Sequence, residues 1–193
     1  MKPLPKSFFK KDTVAVAKAL LGKLLVRETS KGRIVVKIVE TEAYLFDDLA
    51  SHSFCGETPR NAPMFSIPGK AYVYFTYGMY HCLNITTNEK GIGEAVLIRA
   101  VEPIEGLEIM KENRGVVEEK NLCNGPGKLT IALGITRENN DVDLLDRNSE
   151  LRLMESGREE SFEIVETTRV GISKSVERLH RFYVKGSKWV SRK

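Results

Sequence analysis

A carboxylate near the end of an apolar segment is the first candidate for chemistry in this chain. Glu42 follows the Val- and Ile-rich stretch 33–44, and Tyr44 lies two residues further on. Such a carboxylate is costly on an apolar strand unless it is paired or functional. If the strand is unbroken, one face carries Ile34, Val36, Ile38, Glu40, Glu42 and Tyr44. Glu42 is either a salt-bridge partner at a strand end or a general base acting on water.

Two further side chains could share this chemistry. Arg99 interrupts an otherwise apolar, strand-like segment over 94–101 and needs a partner. The partner is either a carboxylate such as Glu40, Glu42 or Glu102, or a phosphate or reacting group. His52 lies in the irregular loop after Tyr44. It is either a structural hydrogen-bonding residue or an acid–base partner.

Tyrosines are concentrated in one stretch, residues 72–80. Gly78 breaks the stretch, so 77–80 is expected to form a hairpin tip or a bulge. The ordinary interpretation is an aromatic sheet interior. The functional interpretation is a stacking platform for bases, with a tyrosine at the tip that wedges a base stack open.

The sequence Gly125-Pro126-Gly127-Lys128 opens a helix, and the N-terminus of a helix favours a phosphate. It lacks the Ser or Thr and the spacing of a nucleoside-triphosphate loop. Taken alone, it indicates an anion contact only weakly.

The elements that must position these residues are mostly strands. The pattern predicts helices over 12–21, 107–113 and 125–133, with an irregular loop over 45–70. It predicts strands over 23–28, 33–44, 71–87 (broken at Gly78), 94–101 (ended by Pro103), 151–154, 162–165 and 182–185. Because helices interrupt the strands irregularly, the expected fold is α+β with a largely antiparallel sheet in a single domain over 1–193.

Composition sets broader limits. The chain has 193 residues, with 30 basic and 26 acidic side chains and a net charge of +4. This mild excess permits an anionic partner. Residues 178–193 hold six Lys or Arg and no acidic residue, which indicates either a solvated tail or a phosphate-contacting edge. Three cysteines without a Cys-x-x-Cys pair favour a reducing cytoplasm, and no metal site or cofactor is expected. No apolar run approaches a membrane span and no secretory signal is expected, so no membrane partner is predicted.

Taken in order, these motifs resemble the alkyladenine (3-methyladenine) DNA glycosylase family. The resemblance spans about residues 20–191 and includes Arg181-Phe182-Tyr183-Val184-Lys185-Gly186-Ser187 near the end. Its other motifs are Val39-Glu40-Thr41-Glu42-Ala43-Tyr44, His52-Ser53, Thr58-Pro59-Arg60-Asn61, the stretch 72–80 with Asn84, Leu97-Ile98-Arg99-Ala100-Val101-Glu102-Pro103, and Gly125-Pro126-Gly127-Lys128-Leu129.

The resemblance implies a monomeric base-excision-repair enzyme with a curved sheet, a protruding hairpin and short surrounding helices. Its partner would be double-stranded DNA carrying a damaged purine, in a bacterial or archaeal cytoplasm and on the nucleoid when bound. It implies that Glu42 activates the attacking water and that Arg99 holds Glu42 and the water. Tyr77 would be the wedge. The implied base-binding residues are Tyr44, His52, Tyr74, Met79 and Asn84, and the other implied DNA contacts are Thr58, Arg60 and Lys128.

The implied reaction is simple hydrolysis of the N-glycosidic bond of an alkylated purine, which leaves an abasic site. Hypoxanthine, a deaminated purine, is a second implied substrate. No lysine occupies the motif positions around Glu42, so no Schiff base and no strand cleavage are expected. Two other classes remain open: a damage-binding module without catalysis, and a hydrolase of nucleosides or nucleotides. Two residues depart from the family pattern. Glu57 lies in a part of the pattern that is often basic. His81 occupies a position where a larger apolar residue is expected.

Overall fold

One antiparallel sheet organises the protein. The computed structural model describes residues 2–157 and 161–192. Within those ranges eight strands pair in the order β3-β4-β5-β2-β1-β6, while β8 pairs with β2 and β7. The strands are β1 Leu24–Thr29, β2 Gly32–Tyr44, β3 Ala71–Thr76, β4 Tyr80–Thr86, β5 Ala95–Glu105, β6 Leu151–Met154, β7 Ile164–Thr167 and β8 Arg181–Val184.

Short helices cover the apolar face of this sheet. They are α1 Thr13–Ala19, α2 Leu107–Arg114 and α3 Pro126–Ala132. Single 3₁₀ turns lie at Lys6–Phe8, Ala62–Phe65, Glu119–Asn121 and Arg137–Asn139. Asp12 starts α1 as expected, because its side chain accepts the Ala15 N–H at 2.8 Å. The prediction of an α+β fold with a largely antiparallel, curved sheet is confirmed.

The long strand β2 does not keep one face throughout, and that expectation was wrong. Its pairing with β5 shifts register between Ile38 and Glu40. The bulge adds one residue to β2, so the side chains after it exchange faces. Ile38 therefore packs in the main core, as do Ile34 and Val36. Glu40, Glu42 and Tyr44 point to the opposite side, and the Thr41 hydroxyl donates to the Ala17 carbonyl of α1 at 2.8 Å.

Two strand boundaries also differ from expectation. Pro103 does not end β5, which continues to Glu105. Proline is tolerated there because the β2–β5 pairing is irregular opposite it, between Val35 and Val36. Strand β7 runs over Ile164–Thr167, two residues later than expected, because its partner β8 fixes the register.

The protruding hairpin consists of β3, β4 and the tip between them. Tyr77 and Gly78 both have positive φ, at 51° and 67°, and the Met79 N–H donates to the Thr76 carbonyl at 3.2 Å. Positive φ is unfavourable for a bulky residue such as Tyr77. The tip therefore holds a tyrosine in a conformation that glycine adopts more readily, which is typical of functional positions.

Helix α3 packs directly against strand β4 of this hairpin, and Gly127 makes the close approach to Tyr80 possible. A Cβ at Gly127 would lie 2.9 Å from Tyr80 Cγ and 3.0 Å from Tyr80 Cβ. We expect Gly127→Ala to lower the free energy of unfolding by about 1–3 kcal/mol through overpacking, although alanine favours helix. Chemical denaturation measures the change. Gly125→Ala is the matched control, since its Cβ would meet only Lys128 at 3.7 Å. Equal effects of the two substitutions would contradict the packing argument.

Candidate active site

A cavity of about 360 Å³ opens on the face of the sheet that carries Glu42. Its wall follows the alternation of three neighbouring strands, because every second residue points to the same side. From β3, β4 and β5 the wall residues are Tyr72, Tyr74, Thr76, Cys82, Asn84, Ala95, Leu97 and Arg99. The loops over 50–64 and 170–172 close the other sides. The irregular loop predicted over 45–70 thus forms part of the site.

Glu42 lies fully buried beside this cavity. Its Oε2 accepts the Tyr44 hydroxyl at 2.9 Å and Arg99 Nη1 at 3.3 Å. Its Oε1 accepts the Val170 N–H at 2.8 Å. A carboxylate offers about four lone-pair positions, so three donors leave one on Oε1 for a further donor such as water.

Burial raises the pKa of Glu42 above its ordinary value of 4.5. The charge of Arg99, the Val170 N–H and the Tyr44 hydroxyl each oppose that rise because they favour the carboxylate. A carboxylate of raised pKa is a stronger base, and the three donors keep it oriented.

Arg99 lies between two buried carboxylates, as the sequence suggested. Its Nε donates to Glu40 at 3.3 Å while Nη1 donates to Glu42. Glu40 has four donors in all, since it also accepts Arg181 Nε at 2.6 Å and both the N–H and the hydroxyl of Ser191. Glu40 therefore anchors Arg99, and Glu42 is the carboxylate with capacity left for chemistry.

His52, Tyr72 and Tyr74 form an aromatic corner of the cavity. His52 Nδ1 and the Tyr72 hydroxyl are 2.9 Å apart. The His52 ring meets the edge of Tyr74 with centroids 4.5 Å apart. Burial and the nearby Arg60 charge lower the pKa of His52, so its imidazole is neutral at neutral pH. Two aromatic side chains and a hydrogen-bonding imidazole suit a planar, polar-edged ring as ligand.

Asn84 and Cys82 form the β4 side of the wall. Asn84 is 5% exposed and its Nδ2 donates to the Tyr72 carbonyl at 3.0 Å. This fixes its amide at the cavity wall, where the resemblance places it. His81, whose role the sequence left open, points away and packs against the Phe75 ring at 5.2 Å.

Tyr77 and Met79 project from the hairpin beside the cavity. Their exposed fractions are 83% and 63%. Tyr77 borders the cavity, so the tip and the buried carboxylate belong to one continuous surface. Phe75 and Tyr80 of the same hairpin are also exposed. Exposed large apolar side chains that cluster in this way are typical of an interaction surface, whereas single scattered ones are not.

The three remaining DNA-contact candidates have different surroundings. Arg60 is exposed at the cavity edge, with its guanidinium 5.8 Å from the Tyr74 ring centroid. Lys128 lies in the first turn of α3 and donates to Asn124 at 2.8 Å. The Thr58 hydroxyl donates to Asn61 at 3.0 Å within its own turn. Their contacts with DNA stay predictions.

The basic C-terminal segment is not a free tail. Arg181 is buried against Glu40, Arg178 pairs with Asp47 at 2.9 Å, and Lys185 pairs with Glu163 at 2.7 Å. The interpretation as a solvated tail was wrong for Arg181, because strand β8 carries its side chain against the buried Glu40, while Lys185 is exposed to solvent in a surface ion pair. Lys193 lies outside the described residues.

Sequence reasoning missed the segment around Arg169 and Val170. Val170 contributes only a backbone N–H to Glu42, and backbone contacts leave no trace in residue type. Arg169 has a side chain with no exposed surface and lies against Asp48 and Tyr44. An arginine within the mixed stretch 161–170 gives no periodic signal that could have revealed this.

The described ranges, 2–157 and 161–192, hold neither a metal-binding cluster nor a membrane-spanning helix. No three His, Cys, Asp or Glu side chains there are grouped to hold a metal ion. No helix in the same ranges is long and apolar enough to cross a membrane.

A buried carboxylate beside an aromatic cavity is an arrangement suited to an enzyme that acts on a planar ring. Comparison with known families identifies the family to which the chain belongs. The model of the methylpurine-DNA glycosylase family matches residues 7–188, so the chain belongs to that family. It is a DNA N-glycosylase, and DNA is its partner.

Relatives of similar length support the same assignment. A protein of Methanoculleus marisnigri is 50% identical over 194 residues, which cover 98% of this chain and 99% of that protein. A protein of Francisella tularensis subsp. tularensis is 47% identical over 182 residues, 94% of each chain. One of Clostridium acetobutylicum is 47% identical over 201 residues, 97% of each. All three carry the name "Putative 3-methyladenine DNA glycosylase".

Proposed function

We propose that this enzyme removes alkylated purines from duplex DNA by flipping the nucleotide into the cavity and hydrolysing its N-glycosidic bond. The observation that carries the proposal is the buried Glu42, with one free lone pair, beside an aromatic cavity that continues to the exposed Tyr77. The names of the relatives, which refer to 3-methyladenine, point to the same lesion class.

Flipping follows from the depth of the carboxylate. Glu42 has no exposed surface, so the glycosidic bond of a stacked base cannot reach it. Extruding a nucleotide costs a few kcal/mol, and least for a damaged base that stacks poorly. Tyr77, which is 83% exposed at the hairpin tip, is the side chain that would fill the space that the base leaves in the duplex.

Recognition of the base rests on the aromatic rings of Tyr44 and Tyr74. Alkylation at N3 or N7 makes a purine cationic, and a cation is attracted to the face of an aromatic ring. The same positive charge makes the purine a good leaving group. The enzyme then has to lower the barrier to cleavage of the N-glycosidic bond only modestly.

Glu42 supplies that catalysis in two ways. Its free Oε1 position accepts a proton from the attacking water, which adds to the anomeric carbon as the purine leaves. Its negative charge also stabilises the oxocarbenium-like sugar of the transition state. The products are the free base and an abasic site. None of the described residues that line the cavity is a lysine, which fits hydrolysis without a Schiff base.

Hypoxanthine is the harder substrate of the two classes. It is neutral, so its departure needs a proton at the base. His52 can hydrogen-bond to a base edge, but its lowered pKa means that few molecules carry a protonated imidazole at neutral pH. We therefore rank deaminated purines below alkylated ones.

Base release from defined duplexes tests the proposal. Three duplexes are used, and each contains a single lesion: an N-methylated purine, hypoxanthine or 1,N6-ethenoadenine. Alkali then converts each abasic site that the enzyme leaves into a strand break. Alkali-dependent breaks at the lesion, fastest for the N-methylated purine, support the proposal. Selective binding without release would make the protein a damage-binding module. Release from free nucleosides that duplex DNA does not inhibit would make it a nucleoside hydrolase.

We expect Tyr77→Ala to weaken binding of a lesion-bearing duplex about tenfold to a hundredfold, because a stacked aromatic ring contributes about 1–3 kcal/mol. Binding to undamaged duplex changes far less, since the wedge acts on the flipped state. Fluorescence anisotropy with the two duplexes measures both affinities. Phe75→Ala is the matched control, because Phe75 is on the same hairpin, 45% exposed, and faces away from the cavity. Equal losses on both duplexes would make Tyr77 a general DNA contact that does not depend on the flipped base.

A further inference from the structure

A buried ion pair lies directly behind Tyr44. Arg169 and Asp48 have side chains with no exposed surface, and Arg169 Nη1 donates to Asp48 Oδ2. The guanidinium lies over the Tyr44 ring, 4.6 Å from its centroid. Tyr44 lines the cavity while Arg169 and Asp48 do not. The ring thus separates a fixed cation from the space that receives the base.

Backbone contacts hold both members of the pair in place. Arg169 Nη1 also donates to the Ala43 carbonyl at 3.0 Å, and Nη2 to the Ser175 carbonyl at 3.4 Å. Asp48 Oδ1 accepts the Ala50 N–H at 2.9 Å. Burial raises the pKa of Asp48, but its hydrogen bonds to Arg169 and to the Ala50 N–H outweigh burial and leave that pKa below the ordinary value. Asp48 is therefore ionised at neutral pH.

Other ionisable side chains lie near the Arg169–Asp48 pair, but closer to the protein surface. Arg178 and Asp47 form a separate ion pair at 2.9 Å, about half exposed on the aspartate side. His180 faces the same region, and burial together with the Arg169 charge keeps its pKa low, so it is neutral. Asp48 is thus the group that compensates the Arg169 charge at close range.

A cation on one face of an aromatic ring opposes a second cation on the other face, because both draw on the same quadrupole. The carboxylate of Asp48 cancels most of that opposition. We propose that Asp48 is a specificity-determining positioning residue: by neutralising Arg169 behind Tyr44, it lets the cavity accept a cationic purine. This inference rests on the proposed function, because it concerns the base that the cavity receives.

The expected size follows from Coulomb's law. A base stacked on the cavity side of Tyr44 would lie about 8 Å from the guanidinium. At an effective dielectric constant of about 20, an uncompensated charge at that distance changes affinity about thirtyfold. A neutral base of similar shape does not experience this repulsion.

The experiment measures dissociation constants for three duplexes with 2′-fluorinated sugars at the lesion, which slow loss of the base. One carries the cationic 7-methylguanine, one the neutral 1,N6-ethenoadenine, and one no damage. For Asp48→Asn, which keeps the size of the side chain, we expect the preference for the cationic over the neutral lesion to fall about thirtyfold. For Arg169→Gln, which removes the cation, we expect that preference to stay at the wild-type level or rise.

Two further variants make the outcome decisive. Asp47→Asn removes an exposed charge one residue from Asp48. It should leave the preference for the cationic over the neutral lesion unchanged. The double variant Asp48→Asn with Arg169→Gln has no charge behind the ring, keeps polar side chains in both positions, and should restore the wild-type preference. If Asp48→Asn does not fold, Arg169→Gln and the double variant still test the inference, because a fall of the preference in either would overturn it.

The results separate this inference from the proposed function. If the wild type binds both lesions more tightly than undamaged duplex and Asp48→Asn lowers both affinities equally, the pair is structural and only this inference fails. If the wild type neither prefers a lesion nor releases a base, the proposed function fails and the inference fails with it.

Discussion

Glu42→Gln abolishes base release and leaves the affinity for a duplex carrying the neutral 1,N6-ethenoadenine within a few-fold of wild type. This is the result that we expect with the largest change in activity. Glutamine keeps the size of the side chain and one acceptor oxygen, but it cannot take a proton from water. It also removes the negative charge that stabilises the sugar cation. Losing a general base lowers a rate about 10²- to 10⁴-fold, and the electrostatic loss adds to it.

Single-turnover release with enzyme in excess measures the chemical step for this variant, and anisotropy measures binding. Glu102→Gln is the matched control, because Glu102 pairs with Lys37 at 3.0 Å outside the cavity and should not affect release. Thermal melting measures any stability that the variant loses because its three hydrogen bonds to Tyr44, Arg99 and Val170 are weakened. A folded Glu42→Gln protein that releases base at even a tenth of the wild-type rate would refute the assignment of Glu42 as the base.

Strand patterns predicted the parts of the site that depend on alternation. Glu42 and Tyr44 are two residues apart on β2, and Tyr72 and Tyr74 are two apart on β3. Each pair shares a face because side chains alternate along a strand. Arg99 on β5 was predicted to need a carboxylate and found two. These residues could be assigned before any contact between the strands was known.

What sequence could not supply was the bulge in β2 and the contacts made by the chain after β7. The bulge moves Glu40 and Glu42 off the face of Ile38, and nothing in the string Val39-Glu40-Thr41 indicates an extra residue in the pairing. The Val170 N–H reaches Glu42 across 128 residues of sequence. Such long-range contacts depend on the packing of the whole chain, whereas propensity and periodicity are local.

Arg99→Gln should produce the largest combined loss, of stability and of activity at neutral pH. Arg99 pairs with both Glu40 and Glu42, each fully buried. Removing one member of a buried ion pair costs about 3–5 kcal/mol, because a charge is left without compensation. The charge of Arg99 also opposes the effect of burial on Glu42, so its loss raises the pKa of Glu42 further.

The further rise in the pKa of Glu42 determines how the reaction rate and the stability of the Arg99→Gln variant change with pH. The base must be ionised to act, so the acid limb of the rate profile should move to higher pH, by about one pH unit or more. For stability, the folded state of the variant keeps a proton on Glu42 between the ordinary pKa of 4.5 and the raised value, where the unfolded chain has lost it. Stability therefore falls as pH rises through that window, and the deficit against wild type is smallest near pH 5.

Arg181→Gln separates the two effects of Arg99. The Arg181 side chain donates to Glu40 at 2.6 Å. Arg181 lies opposite Glu42 in the β2–β8 pairing, but among the described residues its guanidinium forms no ion pair with the Glu42 carboxylate. We expect it to lower the melting temperature without moving the acid limb, while Arg99→Gln does both. Melting curves and single-turnover rates from pH 5 to 9 measure the two quantities. An acid limb that stays in place for Arg99→Gln would show that Arg99 does not set the ionisation of Glu42, and its part would then be to hold Glu40 and Glu42 in position.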